Sequence, residues 1–337
     1  MTEAWLIYSM ELLFDLRAWM SKVMLVVMFS PLMLFCSCLV VGGSLLSISS
    51  STWSGVWVGM ELNLFSFLIL MNGGSFFDLE PLIKYFVVQS LGSVVFIFSV
   101  VYVSFFFSNV MMILLVLGLF LKIGIFPFHS WVPSVVVKSR WIVGGLVLTW
   151  QKLAPLVFLM LISSSVVFIS VLFMVVIGGA GGLNQSSVRG MASYSSFVHM
   201  SWMMVGLLYS FFVFLFYFFI YSMSLFLFFL GCSNSGKSSL GSQSFSLLGL
   251  IGVLMMMGVP PFLGFLSKLL VMLSSPTFAL VVCLLGSVVS LKFYTSFFYS
   301  MFLNSGLYGI EKELSVVSLS LVLNVLGLFL IVVVLFL

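Results

Sequence analysis

Charged residues are scarce in this sequence. Asp, Glu, Lys and Arg make up 6% of its 337 residues, whereas hydrophobic residues make up 63% and the mean hydropathy is +1.36. Soluble domains carry about 25% charged residues, because charge is needed to cover a surface that faces water. The shortage excludes a soluble domain and places the chain in lipid. The net charge of +4 also leaves too few cations for a nucleic-acid surface.

Groups that bind metals or redox cofactors are scarce as well. The four cysteines are scattered, and none has a histidine beside it. They lie within or directly after apolar runs, where cysteine acts as a small apolar residue. The sequence contains no haem-ligand pair and no dinucleotide-binding fingerprint. We therefore predict that this chain binds no metal and no cofactor.

One short stretch suggests nucleotide binding. GCSNSGKSSL, residues 231–240, satisfies the phosphate-binding pattern G-x-x-x-x-G-K-[ST]. That pattern works only where the loop follows a buried strand and opens a helix. Residues 211–230 before it carry no charge, and twenty such residues match a membrane-spanning helix rather than a strand. We therefore predict a Ser/Gly turn, with no nucleotide at 231–238.

Residues 1–22 have the pattern of an amphipathic helix. At 100° per residue the charged side chains fall on one side and the large apolar side chains on the other. The acidic residues Glu3, Glu11 and Asp15 oppose the basic character of a cleavable leader. The pattern predicts a helix that lies in the membrane interface.

The rest of the chain alternates between long apolar runs and short loops. This pattern predicts an all-α, polytopic membrane protein with about eleven spanning helices. The predicted spans lie near 24–47, 54–72, 83–107, 110–137, 143–162, 165–183, 191–209, 211–230, 245–273, 277–302 and 314–337.

Two of these spans contain proline. LKIGIFPFHSWVP (121–133) contains Pro127, and MMMGVPPFLGFLSK (255–268) contains Pro260 and Pro261. Proline removes a backbone donor and breaks a helix, so the freed carbonyls must be buried in protein or line a wet cavity. Paired interruptions in two halves of a chain are typical of inverted-repeat transporters and point to the ion path.

The two interrupted spans are the fourth and the ninth, so equivalent helices of two five-helix repeats would run in opposite directions. We predict repeats at 23–163 and 164–303, followed by a C-terminal helix at 304–337. The two broken helices should then be antiparallel, related by a pseudo-two-fold axis in the membrane plane.

Few ionisable residues lie within the predicted spans. A charge at the bilayer centre costs about 2.5–3.5 kcal/mol, so such residues usually face the protein interior and serve a function. Those of this chain are Glu61, Lys122, Lys152, Lys268, Lys292, His129 and His199. The other charged residues near spans lie at their edges, where interface anchoring explains them: Lys22, Lys84, Lys138, Arg140, Arg189, Glu311 and Lys312.

Two interpretations of Glu61, Lys122, Lys152 and Lys268 remain open. Burial disfavours the charged form of a lysine, and a nearby carboxylate favours it, so a lysine held between these effects exchanges a proton near neutral pH. A row of such lysines linked by water would form a proton relay. Alternatively, the glutamate and one lysine form a structural ion pair while the other lysines snorkel outward.

These motifs resemble the antiporter-like membrane subunits of respiratory complex I, in the proton-conducting membrane transporter family. The resemblance runs from about residue 53 to 268, in the family's order. The matching stretches are WVGMELNLFSF, EPLIKYFVVQS, LKIGIFPFHSWVP, LTWQKLAPL, IGGAGGLNQSSVRGMASYSSFVHMSWM and MGVPPFLGFLSK. The chain departs from the family pattern at several positions, among them Ser134, Gly190 and Ser267.

The resemblance implies a role for each matching residue. Glu61 would pair with Lys122, the lysine of the first broken helix. Lys152 would pass protons along the central axis, and Lys268 would face the exit side or the next subunit. The histidines match family positions as well, and for them proton transfer and packing both remain open: His129 and His199.

The resemblance also implies the setting of the chain. It would be a multi-pass, proton-translocating subunit in the mitochondrial inner membrane, with other membrane-arm subunits as partners and lipids such as cardiolipin as compatible ligands. NADH, FMN, Fe–S clusters and ubiquinone would act in other subunits. Two alternatives are an Mrp-type cation/proton antiporter subunit and a membrane-arm scaffold whose buried charges only hold helices together.

The nucleotide prediction has a direct test. Lys237→Ala removes the lysine that a phosphate-binding loop requires, so we expect it to leave assembly and NADH-linked activity near normal. Saturable ATP binding by the purified chain, lost in this variant, would contradict the prediction.

Overall fold

The computed structural model describes residues 31–73, 76–106, 109–160, 162, 165–235, 247–275, 278–303 and 324. Several predicted features lie wholly or partly outside these ranges, among them the helix at 1–22, the start of the first span, the second half of the 231–240 loop and the last span at 314–337. Thirteen helices account for the regular structure of the described ranges.

The helices are numbered here in chain order. They are α1 (Pro31–Ser49), α2 (Trp53–Met71), α3 (Phe76–Phe106), α4 (Asn109–Ile123), α5 (Trp131–Lys138), α6 (Trp141–Leu148), α7 (Trp150–Met160), α8 (Ser165–Leu183), α9 (Val188–Tyr209), α10 (Phe211–Ser235), α11 (Leu247–Met257), α12 (Leu263–Ser274) and α13 (Phe278–Leu303).

The chain divides into two compact units after Gly73. In the first unit, α1 and α2 pack against each other as a helical hairpin. Thr52 begins α2, and its side-chain oxygen accepts a hydrogen bond from the Gly55 N–H at 3.3 Å. This bond satisfies one of the amides that a helix leaves unpaired at its start. The second unit contains α3 to α13.

Seven helical segments of the described ranges are long and apolar enough to cross a membrane. They are Pro31–Ser49, Trp53–Met71, Asp78–Tyr102, Trp141–Met160, Val166–Leu183, Phe211–Ser233 and Phe278–Ser300. Shorter apolar helices lie on one or both sides of the two predicted interruptions. The prediction of an all-α polytopic fold is therefore confirmed, whereas the count of eleven spans stays a prediction.

One predicted span has an interruption that the sequence did not reveal. The segment 143–162 forms two helices, α6 and α7, that meet at Thr149 (φ −117°, ψ −85°). The Thr149 hydroxyl donates to the Gly145 carbonyl oxygen at 2.8 Å. This bond satisfies the hydroxyl away from water, and no proline lies at this position.

Both proline-containing spans are broken, as predicted. The first break separates α4 from α5, and the second separates α11 from α12. In each case the residue directly after the first half-helix is a glycine with positive φ, +79° at Gly124 and +73° at Gly258. Glycine adopts this left-handed backbone without a steric penalty and commonly ends helices. A left-handed glycine thus ends the first half-helix at both breaks. The antiparallel arrangement of the repeats stays a prediction.

Helix α9 lies at the centre of the second unit. It contacts seven of the other described helices: α5, α6, α7, α8, α10, α12 and α13. Most of its side chains are buried. Its buried serines donate to carbonyl oxygens one turn earlier on the same helix, which satisfies their hydroxyls away from water. Small serine side chains also let neighbouring helices approach closely.

Several charged residues at the span edges form ion pairs. Glu80 accepts from Lys84 at 2.8 Å and also pairs with Lys138. The Arg140 Nε lies 3.8 Å from an oxygen of Asp78. These pairs connect the start of α3 with the turn between α5 and α6. The pairs at Glu80 are exposed, and exposed ion pairs contribute about 0–1 kcal/mol, so they orient this end of the unit more than they stabilise it.

The positive φ at Gly124 yields a prediction about stability. We expect Gly124→Ala to lower the stability of the purified membrane protein, because a left-handed backbone costs about 1–2 kcal/mol for a residue with a Cβ. An added Cβ would also overlap the Val132 side chain. The measurement is thermal unfolding in detergent.

Gly42→Ala is the matched control. A Cβ at Gly42 would meet nothing within 4 Å, and Gly42 lies inside the regular helix α1. We expect this variant to unfold at or above the wild-type temperature, since alanine favours helix more than glycine does. Equal unfolding temperatures for the two variants would contradict the role of Gly124.

Candidate functional site

Lys122 lies at the first break. It is 4% exposed near the end of α4, two residues before the positive-φ glycine. Because the helix ends at Ile123, the backbone carbonyl of Lys122 has no partner from a following turn. The Gln89 side chain of α3 donates a hydrogen bond to this carbonyl oxygen at 2.9 Å. A buried amide from a neighbouring helix thus satisfies the end of the broken helix beside the lysine.

Lys152 lies against the central helix. It is 2% exposed on α7, and its Nζ donates to the Ser196 hydroxyl of α9 at 3.3 Å. The same Nζ lies 5.9 Å from the centroid of the Phe197 ring, within the range of a cation–π contact. The head group of Lys152 therefore rests on α9, between a hydroxyl and an aromatic ring.

His199 lies one turn further along α9. Its Nδ1 is 2.9 Å from the Tyr217 hydroxyl, and its Nε2 is 3.3 Å from the Tyr294 hydroxyl. The Tyr221 ring packs on the imidazole, with the ring centroids 4.9 Å apart. Tyrosines from α10 and α13 therefore occupy both nitrogens of this buried imidazole.

Lys268 lies at the second break. It is 7% exposed on α12, and its Nζ donates to the Met257 carbonyl oxygen at 2.9 Å. Met257 ends α11, where carbonyls lack helical partners and the helix dipole is negative. The helix α12 that carries Lys268 packs against α9, which carries His199. The break thus supplies the acceptor for this buried amine.

His129 lies in the first break, between α4 and α5, and is half-buried. It stacks on Phe126 and meets the edge of Phe197, with centroid distances of 6.4 and 5.9 Å. Its Nδ1 is buried and has no hydrogen-bond partner among the described residues. Since Phe197 also contacts Lys152, the structure places His129 next to the Lys152 site.

Two further predicted residues are Glu61 and Lys292. Glu61 is half-buried on α2 in the first unit, and its pairing with Lys122 stays a prediction. Lys292 is exposed on α13, so it faces the surroundings of the chain rather than α9.

Sequence reasoning missed the tyrosines around His199. Tyr217 and Tyr221 are the two tyrosines of α10, in a run that is otherwise rich in phenylalanine. Their spacing of four residues places both on one face of a helix. A tyrosine hydroxyl in a long apolar run needs a buried polar partner, which is a signal that the sequence contains.

Binding sites for metal or nucleotide have little support in the described ranges. No group of three or more His, Cys, Asp or Glu side chains within them could hold a metal ion. Residues 211–235 form the helix α10, whereas a phosphate-binding loop requires a strand before it. Gly236, Lys237 and Ser238 lie outside the described residues, so the absence of a nucleotide stays a prediction.

The fold and the site together define a class of protein. An all-helical membrane bundle with two interrupted helices and buried lysines beside a shared central helix is typical of antiporter-like transport subunits. The family model described as "NADH:quinone oxidoreductase/Mrp antiporter, TM" matches residues 50–293, and the chain belongs to this family.

Individual relatives agree with this assignment. The chain is 47% identical to NADH-ubiquinone oxidoreductase chain 2 of Mytilus edulis over 289 residues, which cover 85% of this chain and 91% of that protein. Among solved structures it is similar to a chain of respiratory complex I from Thermus thermophilus, with a TM-score of 0.76, 23% identity and coverage of 86% of this chain and 76% of that one.

The fold is also similar to a chain of the Mrp complex from Dietzia sp., with a TM-score of 0.71, 17% identity and coverage of 78% of this chain and 59% of that one. These likenesses confirm the resemblance and the antiporter-like membrane fold predicted from the sequence. The roles of the individual site residues stay predictions.

The contact between Lys152 and α9 yields a further prediction. Ser196→Ala removes the hydroxyl that accepts from the Lys152 Nζ, so we expect it to reduce proton translocation while leaving assembly intact. Ser196→Thr keeps a hydroxyl and should restore part of the loss. The measurement is the number of protons translocated per NADH oxidised in reconstituted membranes.

Ser222→Ala is the control for a serine that lacks such a contact. Ser222 is exposed on α10 and donates only to the Phe219 carbonyl oxygen of its own helix. We expect it to translocate protons at the wild-type ratio. If Ser196→Ala behaves in the same way, the bond between Ser196 and Lys152 has no part in transport.

Proposed function

We propose that this chain translocates protons as a membrane subunit of a respiratory NADH:ubiquinone oxidoreductase, in the mitochondrial inner membrane. Family membership and the name of the 47% identical relative support this proposal. NADH, FMN, Fe–S clusters and ubiquinone would act in other subunits, and the partners would be other membrane-arm subunits together with lipids such as cardiolipin.

One observation carries the proposal of a relay. Within the described ranges, neither Lys152 nor Lys268 forms an ion pair, although both are buried beside α9. A permanently charged amine without a counter-charge is costly in such a site. An amine that exchanges its proton avoids the permanent charge, and burial makes that exchange accessible near neutral pH.

Polar side chains of α9 lie on the proposed route between these lysines. Lys152 donates to Ser196, and His199 lies one turn away on the same helix. Lys268 lies on α12, which packs against α9. A proton that leaves Lys152 therefore has polar groups along α9 toward Lys268, and a scaffold whose charges only hold helices together would not need them.

Lys122 would act at the entrance of the relay. We propose that the Glu61 carboxylate stabilises the protonated form of Lys122, since a carboxylate within about 4–6 Å favours the charged amine. When that carboxylate is drawn elsewhere, the Lys122 proton would move to Lys152 and then to Lys268. Coupling to redox chemistry in other subunits would act through this charge.

An Mrp-type cation/proton antiporter subunit is the second candidate. The description of the matching family includes Mrp antiporters, and the fold is similar to the Dietzia Mrp chain. The 47% identity to a complex I subunit favours the first candidate. Purification of the chain with an NADH-oxidising complex supports the first candidate, and its purification with a set of cation antiporter subunits supports the second.

Replacing the entrance lysine tests the relay. We expect Lys122→Met to assemble and to abolish the proton translocation that depends on this subunit, because methionine has similar length and cannot bind a proton. Glu61→Gln should act in the same direction, since it removes the charge that holds the Lys122 proton. The measurement is protons translocated per NADH oxidised, with assembly verified first.

Lys84→Met is the matched control. It removes a lysine whose side chain is 43% exposed and pairs with Glu80 at the start of α3, away from the proposed relay. We expect it to keep the wild-type ratio. A fully assembled Lys122→Met protein with the wild-type ratio would show that the relay does not pass through Lys122.

A further inference from the structure

The surroundings of His199 hold more hydroxyl groups than packing requires. Tyr217, Tyr221 and Tyr294 are all buried, and all three lie against the imidazole or its hydrogen bonds. Burying a hydroxyl in an apolar interior costs free energy unless it is hydrogen-bonded. Phenylalanine would fill the same space at lower cost, and α10 uses phenylalanine at all of its other aromatic positions.

The two hydrogen bonds at His199 determine which groups carry a hydrogen in each protonation state of the imidazole. A neutral imidazole donates at one nitrogen and accepts at the other, so one tyrosine must accept and the other must donate. An imidazolium donates at both nitrogens, so both tyrosines must then accept. His199 therefore cannot gain or lose a proton unless at least one phenol hydrogen is transferred or turned away.

Further hydroxyls extend this group toward Lys152. The Tyr221 hydroxyl is buried close to the Ser196 side chain. Ser196 is the side chain that accepts from the Lys152 Nζ. The Tyr294 hydroxyl lies beside Ser195, the residue before it on α9. Tyr221 thus lies close both to the imidazole and to the serine that contacts Lys152.

We propose that Tyr217 and Tyr294 carry the proton into and out of His199, and that Tyr221 links this group to Ser196. The proposal rests on the proton-translocating function proposed above and names the groups that serve it. It assigns a transport role to three side chains that sequence reasoning passed over.

The transfer balances in protons. A proton binds the oxygen of one tyrosine while that tyrosine gives its own hydroxyl proton to the bare imidazole nitrogen. The imidazolium then gives the proton on its other nitrogen to the oxygen of the second tyrosine, which releases its hydroxyl proton to the next acceptor. One proton enters and one leaves, and His199 returns to the neutral form as the opposite tautomer. Rotation of the hydroxyls and the ring restores the starting state.

The test uses the assembled complex in reconstituted membranes. Tyr217→Phe and Tyr294→Phe remove only the hydroxyls and keep the rings. We expect each variant to assemble, to oxidise NADH, and to lose as much proton translocation per NADH as Lys152→Met does. Because the groups act in series, the double variant should lose no more than either single variant, whereas independent structural losses would add.

Two further measurements separate transport from packing. Tyr85→Phe is the matched control, because Tyr85 is a buried tyrosine whose hydroxyl donates to the Gln151 side chain at 3.2 Å rather than to His199. It should keep the wild-type ratio. The solvent deuterium isotope effect on translocation should change in the His199 tyrosine variants and not in Tyr85→Phe.

The outcomes distinguish this inference from the function on which it rests. If Lys152→Met loses translocation while Tyr217→Phe and Tyr294→Phe keep the wild-type ratio and isotope effect, the tyrosine inference is wrong and the lysine relay stands. If Lys152→Met itself keeps the wild-type ratio, the proposed relay fails. If one tyrosine variant does not assemble, the other variant decides the test alone. The two tyrosines act in series, so the loss of either hydroxyl should stop proton transfer through His199.

Discussion

A buried amine needs acceptors, and in this chain the surrounding helices supply them. The interior carbonyls of an unbroken helix are already bonded within the helix, so they offer little to a neighbouring lysine. The break after Met257 frees a carbonyl that binds Lys268, and the break after Ile123 lies beside Lys122. The cost of irregular backbone at membrane depth is tolerated because the freed groups are buried in protein.

The central helix α9 contacts several of these side chains. It presents Ser196 to Lys152 and His199 to the tyrosines of α10 and α13. Its many serines bond to their own backbone, so the hydroxyls are satisfied before they contact a neighbour. The serines lower the hydropathy of α9, which would disfavour a helix that faces lipid. Here α9 is enclosed by other helices, so its polar side chains face protein.

The sequence predicted what depends on local chemistry. The prolines predicted the positions of both breaks, and the length of the apolar runs predicted the positions of the helices. The scarcity of charged residues within the predicted spans indicated that Lys122, Lys152 and Lys268 are buried. The interruption at Thr149 was missed, because no proline lies at that position to indicate it. The tyrosine partners of His199 were missed because they lie 18 and 95 residues away in sequence, and only the packing of α10 and α13 brings them together.

The central claim is that the buried lysines exchange protons rather than only carry charge. Lys152→Arg tests it most directly, because arginine keeps the positive charge and cannot release its proton. The number of protons translocated per NADH, measured on the fully assembled complex, should fall to the value of Lys152→Met. A Lys152→Arg complex that translocates protons at the wild-type ratio would contradict the account, since a fixed charge would then suffice.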